Sequence, residues 1–310
     1  MVQVKMLVAA IALLMGVAVL TKANLANKAG PQQVTPAVIS KQEQIVLLAT
    51  GDVVIGRSVN YQLVKYTNPV WPFEQVKAVL AAGDLTVANV EAPLLQDCPT
   101  TVEGMVFCGR ETAVKGLTAA GIDVATLANN HISDYGVAGI EHTVKLLHDN
   151  AIAVAGLEGP ILYKEVKGLK FALLAFNDIS GSVPPVLRAT KENIDRLVSE
   201  ARRNADVVVV AMHWGAEYSA TPDSRQVELA HMVADAGADL ILGNHPHWIQ
   251  SAEQYKATYI KYAHGNLVFD QMWSEQTKKG VIGRYTFEGT KLVAQEFIPT
   301  YIIDYGQPQL

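Results

Sequence analysis

Residues 241–250 read ILGNHPHWIQ, an apolar run that ends at a glycine and then sets His245 and His247 on either side of a proline. On extended backbone successive side chains alternate faces, so a His-x-His pair aims both imidazoles at one side of the strand and at one point. Two converging neutral imidazoles are the donor geometry of a divalent metal site. Ordinary surface or core histidines produce the same spacing, and the rest of the chain has to choose.

Other residues with metal or acid–base chemistry follow the same rule of placement. Asp52 comes after IVLLAT, Asn89 and Glu91 after LTVA, Asn130 and His131 after VATLA, and His213 after VVVVAM. Singly, each has a plain alternative: a turn residue at Asp52, a side-chain-bonded turn at Asn130 and Asp134, a packed histidine beside Trp214. Jointly they sit past the C-terminal ends of successive apolar strands, the edge at which open α/β sheets bind ligands. Carboxylates, an amide oxygen and imidazoles without a thiolate suit Mn, Zn or Fe. His142, His148 and His231 fall inside helical patterns and read as surface residues, and His264 stays outside the donor set.

The elements that must position these groups alternate along the chain. IVLLATGDVV, DLTVANVE, IDVATLANNH, DVVVVAMHWG and DLILGNHPH read as buried strands. WPFEQVKAVLAAG, ETAVKGLTAAG, GVAGIEHTVKLLHDN, KENIDRLVSEARRNA and DSRQVELAHMVADAGA read as helices between or after them. YKEVKGLKFALLAFN predicts a hairpin turning at Lys167-Gly168, and the strand-rich tail turns at Glu288-Gly289. This alternation predicts an α/β layered fold.

The chain of 310 residues is half hydrophobic, which is ample for a large core, and its net charge of -5 is spread without a basic stripe, which excludes a nucleic-acid binder. No nucleophile-elbow serine, P-loop or dinucleotide fingerprint is present. The apolar run Met6–Leu20 behind Lys5 predicts a signal peptide or signal anchor over 1–22, with a linker over 23–44 and the folded domain over 45–310. The protein is therefore expected outside the cytoplasm, membrane-anchored and facing outward, or secreted or periplasmic if the signal is cleaved. Cys98 and Cys108 share one polar segment, and in an exported chain they are expected to close it as a disulfide.

GDVVIGR, VANVEAPL, LANNHISDYG, HWGAEY, GNHPH and HGNLVFD, taken in order, resemble the bacterial capsule-synthesis family typified by CapA and PgsA and associated with poly-γ-glutamate. The resemblance covers roughly residues 45–270. It implies a branch of the calcineurin-like metallophosphoesterases, with a two-sheet sandwich flanked by helices in four layers, α/β/β/α. That superfamily's pattern is D-x-H, G-D, G-N-H, H and G-H-x-H. Carried over, Asp52 matches the first aspartate, Asn130 and His131 the third motif, His213 the isolated histidine, and His245 and His247 the last pair, each facing a different metal. The first histidine is replaced by Val54, and the bridging aspartate by NVE, which leaves Glu91 or Asn89 to fill in. The expectation is one tight metal, held by Asn130, His213 and His245, and at most one weak one, held by Asp52 and His247.

In a catalytic site of this kind His131 protonates the leaving group, Asp134 orients it, and Arg57 holds an anionic substrate group. The resemblance thus implies poly-γ-glutamate capsule biosynthesis or export, on an anionic polymer or a phosphorylated substrate and alongside membrane components of a capsule synthase. Two other functions are kept in view. One is an extracytoplasmic hydrolase of phosphoesters or γ-glutamyl amides; the other is a non-catalytic scaffold whose metal site is structural.

Overall fold

The computed structural model describes residues 43–310. The segments expected to form the export signal and most of the linker lie outside the described residues.

In chain order the strands are β1 (Gln44–Val53), β2 (Leu85–Val90), the short pair β3 (Leu94–Leu95) and β4 (Gly109–Arg110), β5 (Val124–Thr126), β6 (Ala153–Ala155), β7 (Leu162–Val166), β8 (Leu169–Asn177), β9 (Val207–His213), β10 (Leu240–Asn244), β11 (Ala252–Tyr255), β12 (Thr258–Lys261), β13 (Asn266–Val268), β14 (Lys279–Glu288), β15 (Lys291–Ile303) and β16 (Gln307–Gln309). The helices are α1 (Arg57–Tyr66), α2 (Lys77–Leu80), α3 (Val114–Ala119), α4 (Gly136–Asp149), α5 (Lys191–Asn204) and α6 (Ser224–Asp235). One sheet has the order β16-β15-β14-β1-β2-β5-β6, with β13 added beside β1, and the other the order β11-β12-β10-β9-β8-β7. The expected hairpin is the antiparallel pair β7–β8.

Side-chain parity explains why the second sheet's strands read as unbroken apolar runs. Along β9, Val207, Val209 and Ala211 join the core between the sheets, while Val208, Val210 and Met212 join the core under α5 and α6. β8 divides the same way, with Phe171, Leu173 and Ala175 inward and Ala172, Leu174 and Phe176 outward. A strand buried on both faces needs apolar residues at every position. The layers are therefore helix, sheet, sheet, helix, as the resemblance implies.

The helix expected over WPFEQVKAVLAAG is broken into a 3-10 turn at Trp71–Phe73 and the single turn α2. Bonds of the tighter i to i−3 type, such as Val76 N–H to Phe73 O and Val79 N–H to Val76 O, run through the break. They place Trp71, Phe73, Val76 and Leu80 all in the core, a face that a regular helix of this length would spread apart.

Cys98 and Cys108 are disulfide-bonded, and Asn60 braces the loop by donating to Pro99 O and accepting from Arg110 N–H. With a sequence separation of 10, closing this loop contributes up to about 3 kcal/mol through the unfolded chain. Reductant is accordingly expected to lower the unfolding free energy read from urea titration by that amount, and two free thiols in the unreduced, denatured protein would refute the bond.

Candidate metal centre

Both sheets deliver polar side chains to one place between them, at the C-terminal edges of their parallel strands. In the first sheet Asp52 is in register with Asn89 on β2. Glu91 follows two residues on, at the same strand parity. β5 then ends, and the chain turns through Asn129, Asn130 and His131. In the second sheet His213 closes β9 in register with Asn244 at the end of β10.

His245 and His247 converge differently from the expectation. The strand stops at Asn244, and both histidines sit in a turn with left-handed backbone, φ 97° and 57°. Tyr218 N–H pins that turn by donating to Pro246 O at 2.8 Å. The rings still end 5.8 Å apart, brought together by the turn and not by strand alternation. Left-handed φ at a residue with a Cβ is strained, and such strain concentrates at functional sites.

Asp52 is the hub. Its Oδ1 accepts from Asn89 Nδ2 at 2.8 Å and Asn244 Nδ2 at 2.9 Å, while its Oδ2 accepts from the His245 backbone N–H and faces His247 Nδ1 at 3.2 Å. Burial opposes its charge, but the His247 hydrogen bond and the surrounding imidazoles outweigh it and hold the carboxyl far below the usual range. Burial, reinforced by the charge of Asp52, pushes Glu91 up to about 8. Burial also takes His213 down to about 3 and His245 well below its ordinary value, so both imidazoles are neutral. His247 goes the other way, to about 9, since its bond to Asp52 and the charge of Glu91 overcome burial.

His213 Nε2 lies 2.8 Å from Asn130 Oδ1 and 3.3 Å from Glu91 Oε1, and its ring is 4.7 Å from that of His245. Two donor sets form, Glu91 with His245 and His247, and Asp52 with Glu91 and His213, each with ligand atoms within 4.8 Å of one another. Glu91 belongs to both. It therefore stands where the resemblance left a choice between Glu91 and Asn89. Asn89 is committed elsewhere, its Nδ2 to Asp52 and its Oδ1 to Asn129 Nδ2.

The residues fit a divalent metal. Glu91 Oε1 and His245 Nδ1 are buried and make no hydrogen bond among the described residues. Orphaned buried polar atoms are costly, and a cation supplies what they lack. Carboxylate, amide and imidazole donors without thiolate match Mn, Zn or Fe.

Binding must displace the protons that Glu91 and His247 carry near neutrality. Apparent Mn affinity is therefore expected to rise about 100-fold from pH 6 to pH 7, flatten to about 10-fold per unit between the two values, and level off above about pH 9. Chelator-competition titrations would read the slope; a flat profile would show that these two groups are not ligands.

The remaining candidates surround the cluster. Asp134 Oδ2 lies 2.9 Å from His131 Nδ1 and also accepts Phe107 N–H at 2.6 Å, while the Phe107 ring packs 4.3 Å from the His131 ring. Burial disfavours the His131 cation, but the Asp134 bond prevails and raises its pKa. Arg57 is already paired, with Nη2 on Asp270 at 2.5 Å and Nη1 on Gly104 O. Val54 packs with Ala92, Phe107 and Phe269 in a small apolar cluster. His264 spends both ring nitrogens, on Gly243 O and Tyr285 OH.

Several bracing residues escape sequence reasoning. Asn129 donates to Val90 O, Asn244 to Asp52, and Asn266 Oδ1 faces His247 Nδ1 at 2.9 Å. Their only signal was position inside LANNH, GNHPH and HGNLVFD. Glu217, in HWGAEY, adds its charge to the surroundings of Glu91, His213 and His247.

Residues 46–271 match the family described as bacterial capsule synthesis protein PGA_cap. The chain is 31% identical to a capsule biosynthesis protein CapA of Bacillus anthracis, covering 90% of this chain and 72% of that protein. It is 32% identical to a PGA biosynthesis protein CapA of Bacillus subtilis, covering 86% and 76%. Among solved structures, a novel phosphatase from Mycoplasma pneumoniae superposes with a TM-score of 0.57 at 13% identity, over 86% of this chain and 95% of that one. A hypothetical protein from Thermus thermophilus does so at 0.52 and 20% identity, over 85% and 100%. At such identities the two structures speak for the shared fold.

Proposed function

Since this chain belongs to the bacterial capsule synthesis protein family, we propose that it is an extracytoplasmic metal-dependent hydrolase serving poly-γ-glutamate capsule synthesis or export, acting on a phosphoester or a γ-glutamyl amide. The observation that carries this is Glu91, a fully buried carboxylate with an unpartnered oxygen, common to two donor sets. The names of the two Bacillus relatives support the capsular role.

Asp52, Glu91, Asn130, His213, His245 and His247 would hold the metal, and Asn89, Asn244 and Asn266 would orient the holders. Bound there, a divalent ion supplies Lewis acidity and a water nucleophile at neutral pH. His131, raised in pKa by Asp134, delivers a proton to the leaving group. Outside placement is supported by the apolar run Met6–Leu20 and by the disulfide. Among the described residues no helix is long and apolar enough to cross a membrane, so a tether beside capsule-synthase components would fall to the N-terminal segment.

The test is turnover of a chromogenic phosphodiester and of oligo-γ-glutamate by stripped and Mn-reloaded protein. Absence of turnover with metal bound would reject the hydrolase. The second reading, a non-catalytic scaffold, draws on Val54, which offers no donor where the resemblance has an imidazole. Elemental analysis of dialysed protein is expected to give one tight metal and at most one weak one.

A further inference from the structure

Beside the metal-ligand cluster lies a cavity of about 300 Å³ whose wall carries the aromatic rings of Tyr218, Trp273 and Tyr305 together with the Met105 side chain. Trp273, Tyr305 and Met105 are 61%, 50% and 60% exposed, so a ligand can reach them from solvent. Single exposed apolar side chains need no explanation, but several gathered round one cavity mark a binding surface. The Tyr218 and Trp273 rings meet at 84° with centres 4.7 Å apart and form a corner of two π systems. Tyr218 also ties the cavity to the cluster, its ring centre lying 6.2 Å from that of His247.

The charges around this corner favour a cation. Among the described residues Arg57 is the one cationic side chain on the wall, and it is already spent. Its Nη2 pairs with Asp270 at 2.5 Å, its Nη1 donates to Gly104 O, and its guanidinium lies over the rings of Phe107 and Phe269. Burial, reinforced by the neighbouring Glu217 carboxylate, pushes the Tyr218 hydroxyl up and keeps that ring neutral. Asp270 and Glu217 thus stand against a single guanidinium. An aromatic face attracts a cation through its quadrupole, Trp most strongly, and several such faces around one cavity are how quaternary ammonium groups are recognised. A primary ammonium would also need hydrogen-bond acceptors, whereas the open part of this wall offers rings and a thioether, and Asp270 is committed to Arg57 and to the Ser58 backbone N–H. A methylated nitrogen donates no hydrogen bond and loses none there. A phosphate or carboxylate brings the wrong sign.

We propose that this cavity is a subsite for the quaternary ammonium group of a choline-type phosphodiester whose phosphate reaches the metal centre. The inference rests on the hydrolase reading of that centre and selects the phosphoester over the γ-glutamyl amide. Water adds its oxygen to phosphorus as the bond from phosphorus to the leaving alcohol's oxygen breaks. That oxygen takes a proton from His131, and the proton given up by the water restores it.

Metal-stripped full-length protein, titrated calorimetrically with choline chloride, reads the subsite without hydrolysis. Saturable binding is expected, weakened about 10-fold or more by Trp273→Ala and by Tyr305→Ala and partly restored by Trp273→Phe. The uncharged carbon analogue, with a tert-butyl group in place of the trimethylammonium, should bind about 10-fold or more weakly than choline. Both alanine variants should still reload Mn to the parent's content, which shows that the centre is intact. No binding of choline, equal binding of the uncharged analogue, or binding unaffected by Trp273→Ala would each overturn the proposal. Mn-reloaded protein should turn over glycerophosphocholine with kcat/KM about 10-fold or more above glycerophosphoglycerol, a preference that Trp273→Ala erases. If choline binds and the variants weaken it, yet neither diester is cleaved, the subsite stands and the hydrolase reading falls. If both diesters are cleaved equally well by parent and variants, the subsite falls alone.

Discussion

Replacing Glu91 with glutamine is expected to strip the protein of tightly bound metal while making the metal-free fold more stable at neutral pH. Glu91 is 0% exposed and is the one carboxylate common to both donor sets. An amide of the same shape keeps the volume but loses the charge that draws a cation. Disturbing residues that merely orient ligands costs about 10 to 100-fold in affinity, so removing a ligand shared by two positions should cost at least about 100-fold at each.

The metal-free protein should respond in the opposite sense. Burial and Asp52 raise the Glu91 carboxyl from an ordinary 4.5 to about 8. A raised pKa means that the folded state holds a proton the unfolded chain has released. The resulting handicap opens as pH climbs past about 4.5 and stops growing above about 8. Glutamine has no proton to lose, so the variant should outlast the parent in denaturant across that range, with parity near pH 4. Two tightly held metal equivalents in Glu91→Gln would show that Asp52, Asn130 and the three histidines suffice. A metal-free variant weaker than the parent at pH 7 would show that the carboxylate is paired in a way the structure does not contain.

Much of this centre was legible because strands announce their ends. A buried strand reads as an apolar run, and a polar residue closing such a run needs a reason to be there, which is how Asp52, Asn130, His213 and the His245/His247 pair declared themselves. The two layers of core were legible too, since Phe171–Phe176 of β8 and Val207–Met212 of β9 are apolar at every position and only a strand covered on both faces needs that. What stayed hidden depends on relations that a linear reading cannot hold. Glu91 and Asn89 share a strand parity, and only the packing of the second sheet decides that Glu91 reaches His213, His245 and His247 while Asn89 is spent on Asp52, Asn129 and the far nitrogen of His213. The route of His245 and His247 was misjudged because proline and left-handed φ in a turn leave no period to read. Phe107 is remote from His131 in sequence, and the disulfide-closed loop, its N–H bond to Asp134 and its packing with Val54, Ala92 and Phe269 bring it to the ring.

That loop bears on the last expectation, which concerns proton delivery. His131→Ala should lower the turnover number of the Mn-loaded protein about 100 to 10,000-fold, the range in which a positioned general acid contributes, with metal content unchanged. The imidazole is held by its Nδ1 against Asp134 at 2.9 Å and lies within 9% exposure at the rim of the cluster. It belongs to neither donor set, so its loss should spare the metal. Asp134→Asn keeps the ring but withdraws the charge that favours its protonated form, and a smaller loss in turnover follows. Phe107→Ala should fall between parent and His131→Ala, because it removes the ring packed 4.3 Å from the imidazole but keeps the backbone N–H that shares Asp134 Oδ2. All three should depress kcat while leaving KM nearly unchanged, since the proton moves only as the bond breaks. Full turnover in His131→Ala would remove it from the chemistry, and a parallel loss of metal in that variant would make it a ligand instead.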